Sequence, residues 1–371
     1  MRVHIVDPSA NTPPYDHALS SALAAAGAEV ELITSRFVHG PRPEPNGYRL
    51  DESFYRLSTR LAPTSTSARR TLRLAEHVPT MLRYRRRARE ADVVHFQWIA
   101  FGWLDRYLLP PRPTVLTIHN VDPRRLPGAA FRVEPALARS VDALVVHSSH
   151  GVGELAERLR VPRERIHVIP HGAFDYLTEL PDERPLPAEL VEVDAPVVMF
   201  FGLLRDYKGV EVLLEAFTRV EADAELWIVG ESWLRRQELE AIAARSPHRV
   251  RFVSRWITEA EIPAYFRRAD LVVLPFRQMA PSGVLHMALA FGKPLVLSRL
   301  GGFIDVGEEH GAARLVQPED PAALAEAIDA LLRDPDERRR LGAAAAQAAS
   351  EAYSWEAVAA RTLALYQELA G

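Results

Sequence analysis

Cysteine is absent from this 371-residue chain and lysine nearly so: only Lys208 and Lys293 stand among 45 lysines and arginines. The lack of thiols excludes structural disulfides and thiolate metal sites. No apolar run reaches the ~20 residues that a membrane-spanning helix needs. Neither sign of charge dominates, since 45 basic and 49 acidic residues leave a formal charge of −4, so nothing points to a nucleic-acid partner. A G-x-S-x-G nucleophile motif is missing. The single Asp-X-Asp, Asp334-Pro335-Asp336, reads as a turn between helices, so no metal is expected. The opening residues, Met1 to Asp7, read as a strand rather than a signal sequence, which predicts a cytoplasmic protein.

What is present is a globular composition, 48% hydrophobic and 25% charged, at a length that predicts two domains. Short β-type runs alternate with amphipathic helical patterns from end to end. The first set is Val3–Val6, Val30–Thr34, Val93–Phe96, Thr114–His119, Ala143–His147 and His167–Pro170. After a proline-dense stretch the alternation restarts with Val197–Phe201, Glu225–Val229, Val250–Val253, Leu271–Pro275, Pro294–Ser298 and Ala313–Val316. Such alternation means parallel sheets covered by helices, with ligands beyond the carboxyl ends of the strands. The fold class read from it is α/β, two doubly wound Rossmann-like domains facing a cleft. The expected boundaries are an N-terminal domain over 1–178, a linker over 179–195, a C-terminal domain over 196–354 and a closing helix over 355–371.

In a chain so poor in lysine, Lys208 asks for a reason. It follows the buried-strand run Val197–Phe201, in a glycine-flanked loop with Arg205, and a helical pattern (Val210, Leu213, Leu214, Phe217) begins at once. Strand, short loop with cations, helix is how α/β proteins build an anion site. Lysine serves such a site as a mobile point charge and arginine as a planar fork. The competing reading is two solvated loop cations.

A set of short segments, in order, gives the chain a resemblance. They are P13-P-Y-D16, D92-V-V-H-F-Q-W98, T117-I-H-N120, V141-D-A-L-V-V-H-S148, V168-I-P-H-G172, F201-G-L-L-R-D-Y-K-G209, L226-W-I-V-G230, A269-D-L-V-V-L-P275, S282-G-V284, A288-L-A-F-G-K-P294, S298-R-L-G-G302 and Y353-S-W-E356. The chain resembles the retaining glycosyltransferases of family 4, which have the GT-B architecture. The resemblance implies a hexosyltransferase-type enzyme (EC 2.4) that moves a sugar from a nucleotide diphosphate sugar to a glycan, lipid-linked or natural-product acceptor, with no cofactor and no metal. It implies that the domain over 1–178 lies on the acceptor side, that the domain over 196–354 binds the nucleotide sugar and that the last helix packs back on the first domain, with Arg205, Lys208 and His119 as catalytic residues. Donor-binding candidates are Gly202, Gly230, Glu231, Arg277, Gln278, Ser282, Gly283, Val284 and His286, and acceptor-side candidates are Tyr15, Asp16 and Asp122. A non-catalytic GT-B partner subunit and a sugar-nucleotide epimerase or hydrolase are the alternative readings.

Several positions depart from the family pattern, and Pro13-Pro14 stand where many members have paired glycines. Leu203 stands where many members have arginine, and Met279 and Met287 stand where they commonly have two glutamates before the A-x-G-x-P turn. The departures put the donor sugar in question. Separately, the segment 68–90 carries arginines at 69, 70, 73, 83, 85, 86, 87 and 89 among apolar residues. A solvated helix pair is the preferred reading, and peripheral contact with an anionic membrane at its inner face is the alternative.

Overall fold

Runs such as Val197–Phe201 and Leu271–Leu274 carry no polar position at all, so as strands they require cover on both faces. A computed structural model of the chain shows how that cover is supplied. It describes residues 1–37, 44–61, 66–119, 133–279 and 282–371, and for 66–70 the backbone alone. The chain divides into two units, Met1–Gly172 with Trp355–Gly371, and Ala173–Ser354.

The first unit holds a seven-stranded parallel sheet in the order β3-β2-β1-β4-β5-β6-β7. Its strands are β1 (Arg2–Asp7), β2 (Glu29–Ser35), β3 (Arg49–Phe54), β4 (Val93–Phe96), β5 (Thr114–Thr117), β6 (Ala143–Val146) and β7 (Ile166–Val168). One face buries Ile33, Phe96, Leu116 and Leu144 beneath Met81 and Tyr84 of the helix Thr66–Arg87. The other buries Val3, Ile5 and Val145 beneath Leu19 and Leu23 of the helix Pro13–Ala25 and Trp355, Val358 and Tyr366 of the last helix, Trp355–Ala370. Each fully buried aliphatic or aromatic side chain contributes about 1.5–3 kcal/mol.

The second unit holds a six-stranded parallel sheet in the order β10-β9-β8-β11-β12-β13. Here the strands are β8 (Val197–Phe201), β9 (Glu225–Val229), β10 (Val250–Val253), β11 (Leu271–Leu274), β12 (Leu295–Ser298) and β13 (Ala313–Val316). Two apolar layers sandwich this sheet, one around Phe266, Ala288 and Leu289 and the other around Leu213, Phe217 and Ile328. The proline-dense stretch is not a separate tether. Leu177, Leu190 and Val193 are buried in the core of the second unit, so residues 179–195 run across that unit's own surface.

Both sheets reverse their order beside a central strand, β1 against β4 and β8 against β11. At such a point the following loops leave in opposite directions and open a crevice at the carboxyl ends. In the second unit the two loops are the one that carries Lys208 and the one that carries Arg277.

Candidate functional site

The loop after β8 is held by close backbone packing. Gly202 has φ +104°, and its N–H donates to the Val229 carbonyl at 2.9 Å. A Cβ on Gly230 would lie 2.2 Å from the Gly202 carbonyl oxygen, so no larger residue fits there. Gly209, at φ +66°, N-caps the helix Val210–Phe217, and a Cβ on it would lie 2.1 Å from the Pro275 carbonyl oxygen. Between these glycines, Asp206–Lys208 forms a single 3-10 turn that aims Lys208 back over β8.

The Lys208 side chain is 9% exposed, and its ammonium lies 5.6 Å from the centre of the Phe276 ring. Nζ and Val284 Cγ2 close on the same point above Gly202, at 3.2 and 3.1 Å from the position a Cβ would take. Among the described residues Lys208 has no carboxylate or carbonyl partner. Burial first, and then the Arg205 charge, lower its pKa from the ordinary 10.5 to about 8. Lys293 makes the comparison. It is also lowered by burial, yet it donates to the carbonyls of Arg267 at 3.0 Å and Ala269 at 2.9 Å. A buried ammonium left unmatched costs several kcal/mol unless an anion meets it.

Three features adjoin that ammonium. Arg205 stacks on the Trp233 ring at 4.2 Å, and its buried Nε has no hydrogen-bond partner among the described residues. The helix Gly283–Ala290 begins at Ser282, whose hydroxyl caps it by accepting from the Leu285 N–H at 3.3 Å. A helix start directs free N–H groups and positive potential outward. A Cβ on Gly283 would meet only the Phe174 ring, at 3.4 Å.

Arg277 is differently employed. It lies 2.8 Å from Asp206 Oδ1, 3.7 Å from Glu211 Oε2 and 3.6 Å from Glu319 Oε1, and its backbone N–H donates to the Tyr207 carbonyl at 2.8 Å. Three carboxylates within 4 Å balance this guanidinium, so it braces the Lys208 loop, although its buried Nε, like that of Arg205, makes no hydrogen bond among the described residues. His286 is buried with its ring 5.5 Å from Tyr353. Glu231 is exposed, and its carbonyl accepts from the Leu204 N–H at 2.9 Å. Gln278 is half-buried. Met279 packs its sulfur on Gly301, where a Cβ would lie 2.5 Å away, and Met287 packs against the core.

The first unit gathers a second group at its carboxyl ends. His95 lies on β4, and His119, His147 and His171 follow β5, β6 and β7. The last three rings surround Tyr15, whose centroid is 5.0 Å from His119, 5.6 Å from His147 and 4.8 Å from His171, with Trp355 at 5.3 Å, while His95 meets Tyr366. Trp98 stacks on His119 at 4.8 Å and donates from its indole to Thr12 Oγ1 at 2.8 Å. Burial holds all four imidazoles neutral: His147 is lowered from 6.5 to about 4, His95 and His171 to about 3, and His119 well below its ordinary value. Tyr15 is buried among rings, so it is a support and not an exposed contact; the same burial pushes its phenol up. Asp16 is buried too and hydrogen-bonds the Asp7 carboxyl. Burial, then the Asp7 charge, keep a proton on Asp16, while Asp7 accepts from the N–H groups of Ser9, Asn11 and Thr12. Asp122 lies outside the described residues.

The structure thus brings Gly202, Arg205, Lys208, Ser282, Gly283 and Val284 together, and assigns bracing or core positions to Arg277, His286, Tyr15 and Asp16. Sequence reasoning passed over Asp7, Gln97, Trp98, His147 and His171 as site members. A signal existed, since a histidine ends or follows each of four successive strands of one sheet.

The chain is similar to known proteins over most of its length. A family model described as Glycosyltransferase Family 4 matches residues 15–173, and one described as Glycosyl transferases group 1 matches residues 195–334. D-inositol 3-phosphate glycosyltransferase of Xylanimonas cellulosilytica is 30% identical over 94% of this chain and 89% of that protein. Alpha-D-kanosaminyltransferase of Streptomyces kanamyceticus is 27% identical over 71% of this chain and 68% of its own. Among solved structures, sucrose-phosphate synthase from Thermosynechococcus elongatus superposes with TM-score 0.74 at 22% identity, covering 100% of this chain and 99% of the other. Anabaena HepE in complex with UDP and glucose gives 0.72 at 20% identity, with 100% of both chains covered.

Proposed function

The chain belongs to the family 4 glycosyltransferases and has their GT-B fold, and from that premise we propose that it is a retaining enzyme whose second unit holds the diphosphate of a nucleotide-sugar donor at Lys208 and Arg205. It is a glycosyltransferase of class EC 2.4. The observation that carries the proposal is the buried Lys208 ammonium, unmatched among the described residues and set beside the start of the helix Gly283–Ala290.

In this reading the bond between the anomeric carbon and the diphosphate oxygen breaks, and the electron pair leaves with the diphosphate. Lys208 and Arg205 stabilise the charge that develops there, in a setting where water screens little; such stabilisation is often the largest catalytic contribution. The acceptor hydroxyl attacks from the face that the leaving group vacates, and its proton passes to a phosphate oxygen, so configuration is retained. No metal is assigned a part. The acceptor is a hydroxyl of a sugar, a cyclitol or another carbohydrate-like compound, a class supported by the names of the relatives. His119 and Trp98, in the first unit, are assigned to orient substrate. We assign the protein to the cytoplasm.

Calorimetric titration with UDP, GDP, ADP and TDP, beside a Lys208→Ala variant, tests the proposal. Selective micromolar binding is expected, weakened in the variant by about 1.5–3 kcal/mol, the range for a hydrogen bond to a charged group. Binding to none of the four, or binding indifferent to the substitution, sinks it.

A further inference from the structure

The arginine-rich helix Thr66–Arg87 is not an isolated solvated element. Its inward face is His77, Thr80, Met81 and Tyr84, all buried. Glu76 accepts from the N–H groups of Leu57 and Ser58, each at 2.9 Å, and so holds the start of the helix Arg56–Leu61 against it. On its other flank His77 bonds Asp105, which accepts from the Phe101 N–H at 2.8 Å, and Arg85 donates to the Tyr107 carbonyl at 3.3 Å. Three segments are therefore locked into one surface.

That surface is unusual in what it leaves uncovered. The outward face of the long helix presents Leu72, Pro79 and Leu82 together with Arg83 and Arg86. Leu57 and Leu61 flank it on one side, and on the other stand Trp103 at 56% and Tyr107 at 66% exposure. Among the described residues Arg60, Arg83, Arg86 and Arg106 have no carboxylate partner. In the second unit Arg235, Arg236, Arg339 and Arg340 each pair with an acid three or four positions away, while the exposed Arg219, Arg249 and Arg314, on three separate segments, have no carboxylate partner among the described residues. What sets this face apart is that four such arginines lie among exposed leucines, a tryptophan and a tyrosine on segments bonded to one another.

We propose that this face docks on an anionic lipid bilayer. Apolar side chains dispersed among arginines suit the boundary between headgroups and acyl chains, where arginine stems lie along apolar surface and their heads reach phosphates. Tryptophan and tyrosine at the rim suit the same depth. The chain as a whole carries −4, so this cationic face sets the orientation of approach. The proposal stands apart from the donor site, because its readout needs no nucleotide and no activity.

The test is co-sedimentation of the full chain with vesicles of phosphatidylcholine alone and of phosphatidylcholine mixed with phosphatidylglycerol, over a salt series. Binding to the anionic vesicles only, weakening with salt, is expected. Arg83→Gln and Arg86→Gln should each lower partitioning about fivefold, the equivalent of about 1 kcal/mol per charge near an anionic surface. Leu82→Asp and Trp103→Ser should lower it further with unfolding midpoints unchanged, since both side chains are exposed. The proposal is overturned if the chain binds neither vesicle, binds both alike, or binds anionic vesicles equally well in all four variants.

Discussion

His147 Nε2 lies 3.1 Å from His119 Nδ1, and the other nitrogen of His147 lies 3.0 Å from the Ile169 carbonyl oxygen. A carbonyl accepts only, so His147 carries its proton on Nδ1 and offers a lone pair from Nε2. His119 must then donate from Nδ1, which sets the lone pair of its Nε2 against Gln97 Oε1 at 3.2 Å, two acceptors that are reconciled by turning the amide about. The amide NH2 of Gln97 belongs on that side, because its nitrogen otherwise has no partner among the described residues. A backbone carbonyl at the end of β7 thereby fixes the tautomer of a ring at the end of β5.

This chain of bonds has a spectroscopic consequence. Two-bond nitrogen–proton spectra should show His119 as the neutral Nδ1–H tautomer near neutral pH. His147→Phe should cost about 1–3 kcal/mol, because it strands a buried N–H, and should release the tautomer preference. An Nε2–H pattern in the parent protein would contradict the assignment.

Acid should destabilise the first unit through its histidines. The unfolded rings bind a proton near pH 6.5, whereas folded His95 and His171 do so only near 3 and His147 near 4. As pH falls from 6.5 towards 4 the unfolded state gains protons that the folded state refuses, so each ring removes about 1.4 kcal/mol per pH unit; above 6.5 the contribution is intact. Asp16, raised by burial, acts in the opposite direction. The histidine share is therefore read as a difference. A His95→Gln, His171→Gln double variant should lose stability less steeply than the parent in denaturant titrations between these pH values, and parallel slopes would refute the account.

With Lys208 at the diphosphate, as proposed, nucleotide binding should depend on alkali. Its pKa of about 8 in the free protein means the ammonium is partly discharged above that value, and a bound diphosphate restores the proton. Affinity should fall as pH rises through 8. Calorimetry above pH 8, in two buffers of different ionisation heat, should report net proton uptake on binding. Lys208→Ala should abolish both effects; uptake that persists in the variant would assign the proton elsewhere.

The same burial implies a conflict between stability and function. Lys208→Met keeps the length of the side chain and removes a desolvated charge. It should stabilise the ligand-free protein by about 1–3 kcal/mol, the cost of a buried polar group left unpaired, while the nucleotide no longer raises the unfolding midpoint. A destabilised variant would show that the ammonium has partners after all.

Asp7 and Asp16 should respond unequally to the loss of charge. Asp16 holds the shared proton and acts as a donor, a role that the amide of Asp16→Asn can copy for less than about 1 kcal/mol. Asp7 accepts from three backbone N–H groups of the loop after β1. Asp7→Asn turns an amide donor on them and should cost about 2–3 kcal/mol by chemical denaturation. Equal losses would place the proton on the other carboxyl.

The strands of both sheets were legible because burial on two faces forces unbroken apolar runs, as at Val197–Phe201 and Ala143–Val146. β3 escaped notice because it is an edge strand: Arg49, Asp51 and Glu52 make it look like a loop, and charge is what keeps such an edge from pairing with another chain. Residues 179–195 misled in the other direction, since proline density marks a chain that avoids helix and strand, not one that lacks a core to pack on. Lys208 could be singled out through its rarity and its place after β8. Arg277 could not be judged, because the acids that match it come from 71, 66 and 42 positions away, at Asp206, Glu211 and Glu319.

Sequence by itself determined the periodicities, and with them two parallel sheets, the glycines at which loops turn, and a cation placed to leave the end of β8. These are local matters, settled by which side chains can be buried along a strand and which backbone angles a residue tolerates. Only the tertiary structure decided which charges remain unmatched. Lys293 finds two carbonyls, Arg277 finds three carboxylates, and Lys208 finds none among the described residues. That difference depends on distances between segments far apart in the chain, because the cost of a buried charge is set by what stands within a few ångströms of it.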